Sequence, residues 1–177
     1  MLPYLLNGYI WHRVNGIGDV PWFTPAFCGG IPYVANPQNF YYSVPQVLAF
    51  LTDPLTSVQI TIAVFAAAGF CGFYLLARRC FSLSRATAVL GATLFLFNGF
   101  YIHRMIIGHF EYHSFMTLPL LAFLVLRPLP PDRGDRIGQV ITDSVWGAFL
   151  VAYMVFSGAA PVMGPFLLGL FLVCGFG

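Results

Sequence analysis

The sequence predicts an all-α fold, a polytopic integral membrane helix bundle, and three observations support this class. Hydrophobic residues make up 59% of the 177 positions and charged residues only 8%, whereas an average soluble domain carries about 25% charged residues. Several apolar stretches are long enough for a helix to cross a hydrocarbon core of about 30 Å. Most of the arginines lie between these stretches, where loops are expected.

Residues 1–54 are predicted to form an outer loop that ends in a short interfacial helix. Prolines recur throughout the aromatic run from Asp19 to Gln46, and each removes a backbone donor that a helix would need. Its Trp, Tyr and Phe rings favour the membrane–water interface. Irregular backbone at that depth must be buried in protein or reach water. We therefore expect this loop to roof a cavity, with a ligand-free connector as the alternative, and SVPQVLAFLTD to form the interfacial helix.

Residues 55–177 are predicted to form a transmembrane bundle of four to five helices. The expected spans are about 55–77, 85–102, 105–126, 140–157 and 165–177, with a break at SGAAPVMGP before the last. Small residues in AAAGFCG of the first span and GAT of the second are expected to let helices approach closely.

The arginines predict the orientation of the bundle, because cytoplasmic loops carry an excess of basic residues. Two alternate loops hold six of them: Arg78, Arg79 and Arg85 follow the first span, and Arg127, Arg133 and Arg136 follow the third. The loop of residues 1–54 and Arg104 then face outward. A segment this long outside the membrane usually follows a span that delivered it. We therefore expect the chain to be a piece of a larger polytopic protein, or a partner that inserts beside one.

Acidic residues are expected mainly at helix ends. Asp53, which precedes Pro54, is predicted to cap the first span, because an N-cap carboxylate accepts hydrogen bonds from free backbone N–H groups. Asp143 is predicted to cap the fourth span in the same way. Asp132 and Asp135 alternate with arginines and are expected to lie in a solvated loop.

The run HRMIIGHFEYH is the densest group of polar side chains on the predicted outer side. On an α-helix, His109 and His113 would share one face and Glu111 would point away from them. Imidazole and carboxylate suit Zn, Mn or Fe, so a divalent metal held by these three residues is one hypothesis. Hydrogen bonding to water and lipid headgroups is the other.

Arg104, in the same run, is expected to contact a lipid phosphate. Its planar guanidinium can donate paired hydrogen bonds to phosphate oxygens. The alternative is that it snorkels to anionic lipid, as long basic side chains do near span ends. No nucleic-acid partner is expected, because the arginines are scattered rather than clustered on one face.

The front of the chain resembles the first outer loop of bacterial GT-C membrane proteins, especially the YfhO-like group. The runs that carry this resemblance are Pro21–Pro25, Gly29–Pro32 and Ala35–Gln38. It continues in GFYLLARR, in FNGFYIHRMIIGHFEYHSFMTLPLL and in VFSGAAPVMGP, and so covers most of the chain. The location that it implies is a bacterial inner (plasma) membrane, with a multi-pass topology and the aromatic loop on the periplasmic side.

The resemblance implies a glycosyltransferase with its active site at the outer leaflet and a polyprenyl-phosphate-linked sugar as donor. In such enzymes an acid of the first outer loop acts as general base, and Arg or a divalent metal stabilises the departing lipid phosphate. Asp19 is the only acid in the aromatic run from Asp19 to Gln46, but the family's base would fall at or before Met1. We expect the first span and the base to be missing, or Asp19 to substitute for the base.

The resemblance also implies a set of substrate- and lipid-phosphate-binding residues: Trp22, Asn36, Gln38, His103, Arg104 and His109. The chain is therefore expected to act in sugar transfer to an envelope acceptor, with membrane lipids and the polyprenyl-linked sugar as its partners. The alternative is a non-catalytic membrane subunit that derives from this fold and contributes packing or lipid binding to a larger membrane complex.

Overall fold

The computed structural model describes residues 2–16, 18–25, 29–33, 36 and 41–176, and the chain is mostly helical in these ranges. The elements in chain order are α1 Leu2–Asn15, β1 Phe23–Thr24, β2 Ile31–Pro32, α2 Val44–Leu51, α3 Pro54–Arg79, α4 Arg85–Leu96, α5 Gly99–Ile106, a 3₁₀ helix Phe110–Thr117, α6 Leu118–Leu126, α7 Arg133–Phe156 and α8 Ala160–Phe176. β1 and β2 pair as a short antiparallel ladder. The predicted all-α class is confirmed.

Three helical stretches are long and apolar enough to cross a membrane: Pro54–Arg79, Arg85–Ile106 and Arg133–Phe156. Shorter apolar helical stretches, Phe110–Leu126 and Ala160–Gly175, occupy the positions of the third and fifth predicted spans. Only 6% of the apolar window of α7 is buried inside the protein. Since water disfavours so much apolar surface, these helices indicate a membrane protein.

The segment 1–54, predicted as an outer loop with one short helix, contains an additional helix, α1, that was not predicted. Pro3 sits in its first turn, where a missing N–H is tolerated. The helix ends before Gly16, whose φ of +87° is in the left-handed region that commonly terminates helices. Leu5 of α1 packs against Ala49 of α2 and Val58 of α3 in a buried cluster. These end signals were present in the sequence but lay outside any apolar run of spanning length.

Helix α3 is the central element and contacts α1, α2, α4, the 3₁₀ helix and α6. It begins at Pro54, and the Asp53 carboxylate accepts hydrogen bonds from the N–H groups of Leu55 at 3.0 Å and Thr56 at 3.1 Å. The predicted cap is therefore confirmed. Hydrogen bonds from the Thr56 side chain and backbone hold the pKa of the Asp53 carboxyl below its ordinary value.

Glycines allow α3 to lie directly against its neighbours, as the small-residue patches predicted. A Cβ on Gly72 would lie 2.9 Å from the backbone nitrogen of Leu120 in α6. A Cβ on Gly69 would lie 3.0 Å from the backbone oxygen of Met116. The ring of Phe73 in α3 packs against Gly91 of α4, where a Cβ would be too close to it. Close packing of this kind is a main source of helix association in lipid.

The predicted second span is interrupted at Asn98, which separates helix α4 from helix α5. The Asn98 side chain accepts a hydrogen bond from Tyr101 N–H at 2.8 Å and donates one to the Phe95 carbonyl at 2.5 Å. One amide therefore satisfies backbone groups of both helices, which makes an interruption possible within an apolar stretch.

The start of α7 corrects two predictions about acidic residues. Asp132 caps the helix by accepting hydrogen bonds from Gly134 and Asp135 N–H groups, so the helix begins within the expected solvated loop. Asp143 then lies inside α7 and pairs with Arg127 through both carboxylate oxygens, with Arg127 Nε to Asp143 Oδ2 at 2.6 Å. The expected capping role of Asp143 was wrong because the helix starts a full two turns earlier than expected.

The break between α7 and α8 is at the predicted place, but α8 begins earlier than expected. Gly158, with a φ of +89°, separates the two helices, and α8 begins at Ala160 with Pro165 inside it rather than at its start. Helix α8 contacts α6 and α7.

A buried hydrogen-bond chain joins α7 to the 3₁₀ helix and to the start of α2. His113 is fully buried, and its Nδ1 donates to the Phe110 carbonyl at 2.6 Å while its Nε2 accepts from the Tyr153 hydroxyl at 2.6 Å. The same hydroxyl accepts from Val44 N–H at 3.2 Å. The Ser114 and Ser157 hydroxyls meet beside it at 2.8 Å. Three distant parts of the chain are thereby held together.

Replacing Tyr153 with Phe should destabilise the protein, because His113 Nε2 and Val44 N–H would stay buried without a partner. We expect the free energy of unfolding to fall by about 1–3 kcal/mol, measured as a lower thermal midpoint in detergent. Tyr74→Phe is the control, since no described residue bonds the Tyr74 hydroxyl. Equal midpoints for the two variants would contradict the proposed role of the Tyr153 hydroxyl.

Gly72→Ala should also destabilise the protein, because its added methyl group meets the α6 backbone, which cannot move aside as a flexible side chain can. Overpacking of this kind costs about 1–3 kcal/mol. Gly169→Ala in α8 is the matched control, since nothing lies within 4 Å of its added Cβ. We expect the control to keep the wild-type thermal midpoint or exceed it. A Gly72→Ala variant as stable as this control would show that the packing of α3 on α6 does not need a glycine at this position.

Candidate functional site

The candidate site forms where the 3₁₀ helix folds back on α5. Gly108, with a φ of +79°, turns the chain after α5, and His109 N–H bonds the Arg104 carbonyl at 2.8 Å. This turn places the Tyr112 ring over the Arg104 guanidinium, 4.7 Å from its carbon, while Phe100 lies 5.3 Å away. Two aromatic rings therefore position one cation, an arrangement that is favourable by about 0.5–2 kcal/mol per pair.

An apolar groove of about 580 Å³ opens beside this cation. Its lining comes from α5, the 3₁₀ helix, α6 and α8: Phe100, Arg104, Tyr112, Phe115, Leu118, Pro161, Val162, Pro165 and Phe166. Arg104 is the only charged residue in this described lining. Small-molecule sites in proteins typically have volumes of about 300–1,000 Å³ and mostly apolar walls with a few polar groups, so the groove is large enough for part of a lipid.

The Arg104 guanidinium has no acidic partner among the residues that the structure describes. The ion pairs found there join His109 to Glu111 and Arg127 to Asp143. No described side chain or carbonyl accepts a hydrogen bond from Arg104 either. A half-buried cation whose donors are free can bind an anionic group.

His109 and Glu111 form a second polar contact next to the groove. His109 Nδ1 lies 2.9 Å from Glu111 Oε1, and the Glu111 side chain is almost fully buried. The other carboxylate oxygen, Oε2, has no hydrogen-bond partner among the residues that the structure describes. The His109 ring lies 6.2 Å from the ring of Tyr112. Contacts thus run from Glu111 through His109 and Tyr112 to Arg104.

The three residues of the metal hypothesis do not converge. The segment is a 3₁₀ helix that follows a left-handed glycine, so His109 lies outside the helix and meets Glu111, which was expected to point away. His113 faces the interior, and both of its ring nitrogens are engaged by Phe110 and Tyr153. Within the described part of the chain, no three His, Cys, Asp or Glu side chains are placed to hold a metal ion.

The remaining predicted site residues lie apart from the groove. Asp19 and Trp22 are exposed, and neither lines it. The Asn36 amide donates to the Tyr4 hydroxyl at 3.3 Å. His103 is exposed on α5. The prediction for Gln38 lies outside the described residues.

A packed aromatic cluster holds Tyr33 and Tyr41, from the segment that follows α1, to that helix. The Tyr33 hydroxyl donates to the Tyr4 carbonyl at 2.5 Å, and the Tyr41 hydroxyl lies 2.6 Å from His12 Nε2. Burial raises the pKa of both phenols, and for Tyr41 the charge of Asp19 adds to the effect. These contacts were missed from the sequence, because His12 and Tyr4 belong to the helix that was not predicted.

A comparison with protein-family models, curated proteins and solved structures finds no match to this chain.

Proposed function

We propose that this chain is a polytopic membrane protein that binds a polyprenyl-phosphate lipid in the Arg104 groove, as part of a GT-C-type sugar transfer to an envelope acceptor at the outer face of a bacterial inner membrane. The observation that carries the proposal is a guanidinium that lines an apolar groove and has no acidic partner among the described residues. A ligand that suits both features has an anionic head and a long apolar chain.

The chemistry of Arg104 favours phosphate over other anions. A guanidinium donates paired hydrogen bonds that match phosphate oxygens, and stacking on Phe100 and Tyr112 fixes its plane before the ligand arrives. Preorganisation of this kind reduces the entropy lost on binding. In sugar transfer, the same donors would stabilise the negative charge that develops on the departing lipid phosphate.

The walls of the groove suit the isoprenoid chain. Phe115 and Leu118 line one side, and Val162, Pro165 and Phe166 of α8 line the other. The polyprenyl identity of the chain rests on the resemblance carried by the Pro-Trp, Gly-Gly and Ala-Asn-Pro-Gln runs.

A non-catalytic lipid-binding subunit is the second candidate, and the position of Asp19 favours it. A general base must come within hydrogen-bond reach of the hydroxyl that it deprotonates. Asp19 is exposed and is not part of the groove lining. The Trp11 indole N–H donates to the Asp19 backbone carbonyl at 3.1 Å, but the Asp19 carboxylate accepts no hydrogen bond from the described residues.

Arg104→Gln should lower the amount of polyprenyl phosphate that co-purifies with the protein by about tenfold or more, because a hydrogen bond to a charged group contributes about 1.5–3 kcal/mol. The amount of bound polyprenyl phosphate is measured by mass spectrometry of the lipid extracted from the purified protein. Arg13→Gln is the matched control: Arg13 also lies over a tyrosine ring, at 5.2 Å, but the pocket that it lines is smaller, about 200 Å³. Unchanged lipid content in Arg104→Gln would overturn the proposal.

Asp19→Asn separates the two candidates. If Asp19 is the general base, transfer of a labelled sugar from its polyprenyl-phosphate carrier should fall by about 10²–10⁴-fold, while the thermal midpoint stays unchanged. Asp135→Asn, another exposed carboxylate, should retain full activity. A wild-type protein that binds the lipid but transfers no sugar would favour the subunit, and full activity in Asp19→Asn would remove Asp19 from the mechanism.

A further inference from the structure

A second basic pocket lies at the opposite end of the helical stretch Arg85–Ile106 from Arg104. It has a volume of about 440 Å³, and it forms where the last turns of α3 meet the start of α4. Five residues line it: Tyr74, Leu75, Arg78, Arg79 and Arg85. Three of these five carry a positive charge.

The turn between α3 and α4 brings these charges together. Ser82 adopts a left-handed conformation with a φ of +52°, which is uncommon for a residue other than glycine. The turn is held by a hydrogen bond from Leu83 N–H to the Ala77 carbonyl at 3.1 Å and by one from Arg78 Nη1 to the Leu83 carbonyl at 2.5 Å. Arg85 is consequently placed beside the end of α3 rather than away from it.

No carboxylate among the described residues balances this charge. Neither of the two ion pairs found there includes any of the three arginines. The carbonyl end of α3 compensates only partly, since a helix terminus is equivalent to about half an elementary charge. The side chains of Arg79 and Arg85 donate to no described acceptor. Their guanidinium groups remain free to bind an anion.

The surroundings of the pocket favour a lipid over a dissolved anion. Tyr74 and Leu75 belong to a helix long enough to cross a membrane, and they form the apolar side of the pocket. A neighbouring pocket of about 430 Å³ shares Leu75 and Arg79 and is also lined by Phe123, Arg127, Pro128 and Gln139. The apolar side chains of Leu75 and Phe123 therefore lie beside the arginines, where acyl chains would pack.

We propose that the pocket of Arg78, Arg79 and Arg85 binds the phosphate of an anionic phospholipid headgroup, at the membrane surface opposite the Arg104 groove. Basic pockets between membrane helices bind anionic headgroups in this way. The site is independent of the proposed sugar transfer, because it involves other residues at the other end of the bundle.

The test is a titration of the full-length, delipidated chain with phosphatidylglycerol and with phosphatidylcholine of identical acyl chains, followed by native mass spectrometry. All proteins carry Arg104→Gln, so that the other groove does not contribute. The double variant Arg79→Gln/Arg85→Gln should lose about 30-fold in affinity for phosphatidylglycerol, given the usual contribution of each arginine near anionic lipid. Its affinity for phosphatidylcholine should not change.

Arg133→Gln/Arg136→Gln is the charge-matched control, since both arginines are exposed near the N-terminus of α7. If this control retains its affinity for phosphatidylglycerol, the result supports binding in the pocket. If it loses as much affinity as Arg79→Gln/Arg85→Gln, the binding reflects diffuse charge attraction, and the proposed pocket is overturned. Displacement of the lipid by millimolar inorganic phosphate would overturn the lipid assignment in favour of a free phosphate ligand. If the double variant unfolds, the same titration is made with the single variant Arg85→Gln. An unchanged affinity for phosphatidylglycerol in this variant contradicts the proposal.

Discussion

The buried imidazole of His113 connects parts of the chain that are far apart in sequence, and the geometry of the candidate site depends on it. Through Tyr153 it attaches the end of α7 to the 3₁₀ helix, and through the same hydroxyl it reaches the first turn of α2. The Ser114–Ser157 hydrogen bond strengthens this junction. Because α8 begins three residues after Ser157, the junction also fixes one wall of the Arg104 groove. A polar contact buried in the protein therefore defines an apolar site at its surface.

This dependence is what a membrane environment would require of the helices. Lipid provides little hydrophobic drive between helices, so close packing and interhelical hydrogen bonds must hold them in register. The protein uses close packing on one side of α3 and interhelical hydrogen bonds on another. Glycines bring α4 and α6 into direct contact with α3, whereas imidazole and hydroxyl groups fix the elements that are less closely packed, including α7, which contacts α3 little.

The long apolar helices and the cap at Asp53 could be predicted from the sequence because each depends on neighbouring residues. The start of α7 was predicted too late, since a charged first turn resembles a loop when only hydropathy is considered. The site was harder to predict. Arg104 could be identified by type, but its aromatic partner Tyr112 follows a left-handed glycine that no helical periodicity describes. The Tyr153 hydroxyl comes from a residue 40 positions from His113 and 109 positions from Val44, and only the tertiary fold brings these groups together.

Asn98 has a further consequence for the helical stretch between the two basic sites. Its amide donates to one helix and accepts from the next, a combination that a carboxylate lacks at neutral pH. The interruption of the helix therefore leaves neither of these backbone groups unsatisfied in hydrocarbon. A rotation at this break would move Phe100 and Arg104 relative to α3, while leaving the α3–α4 turn in place. The Arg104 groove and the arginines of that turn thus lie on opposite sides of a helix interruption.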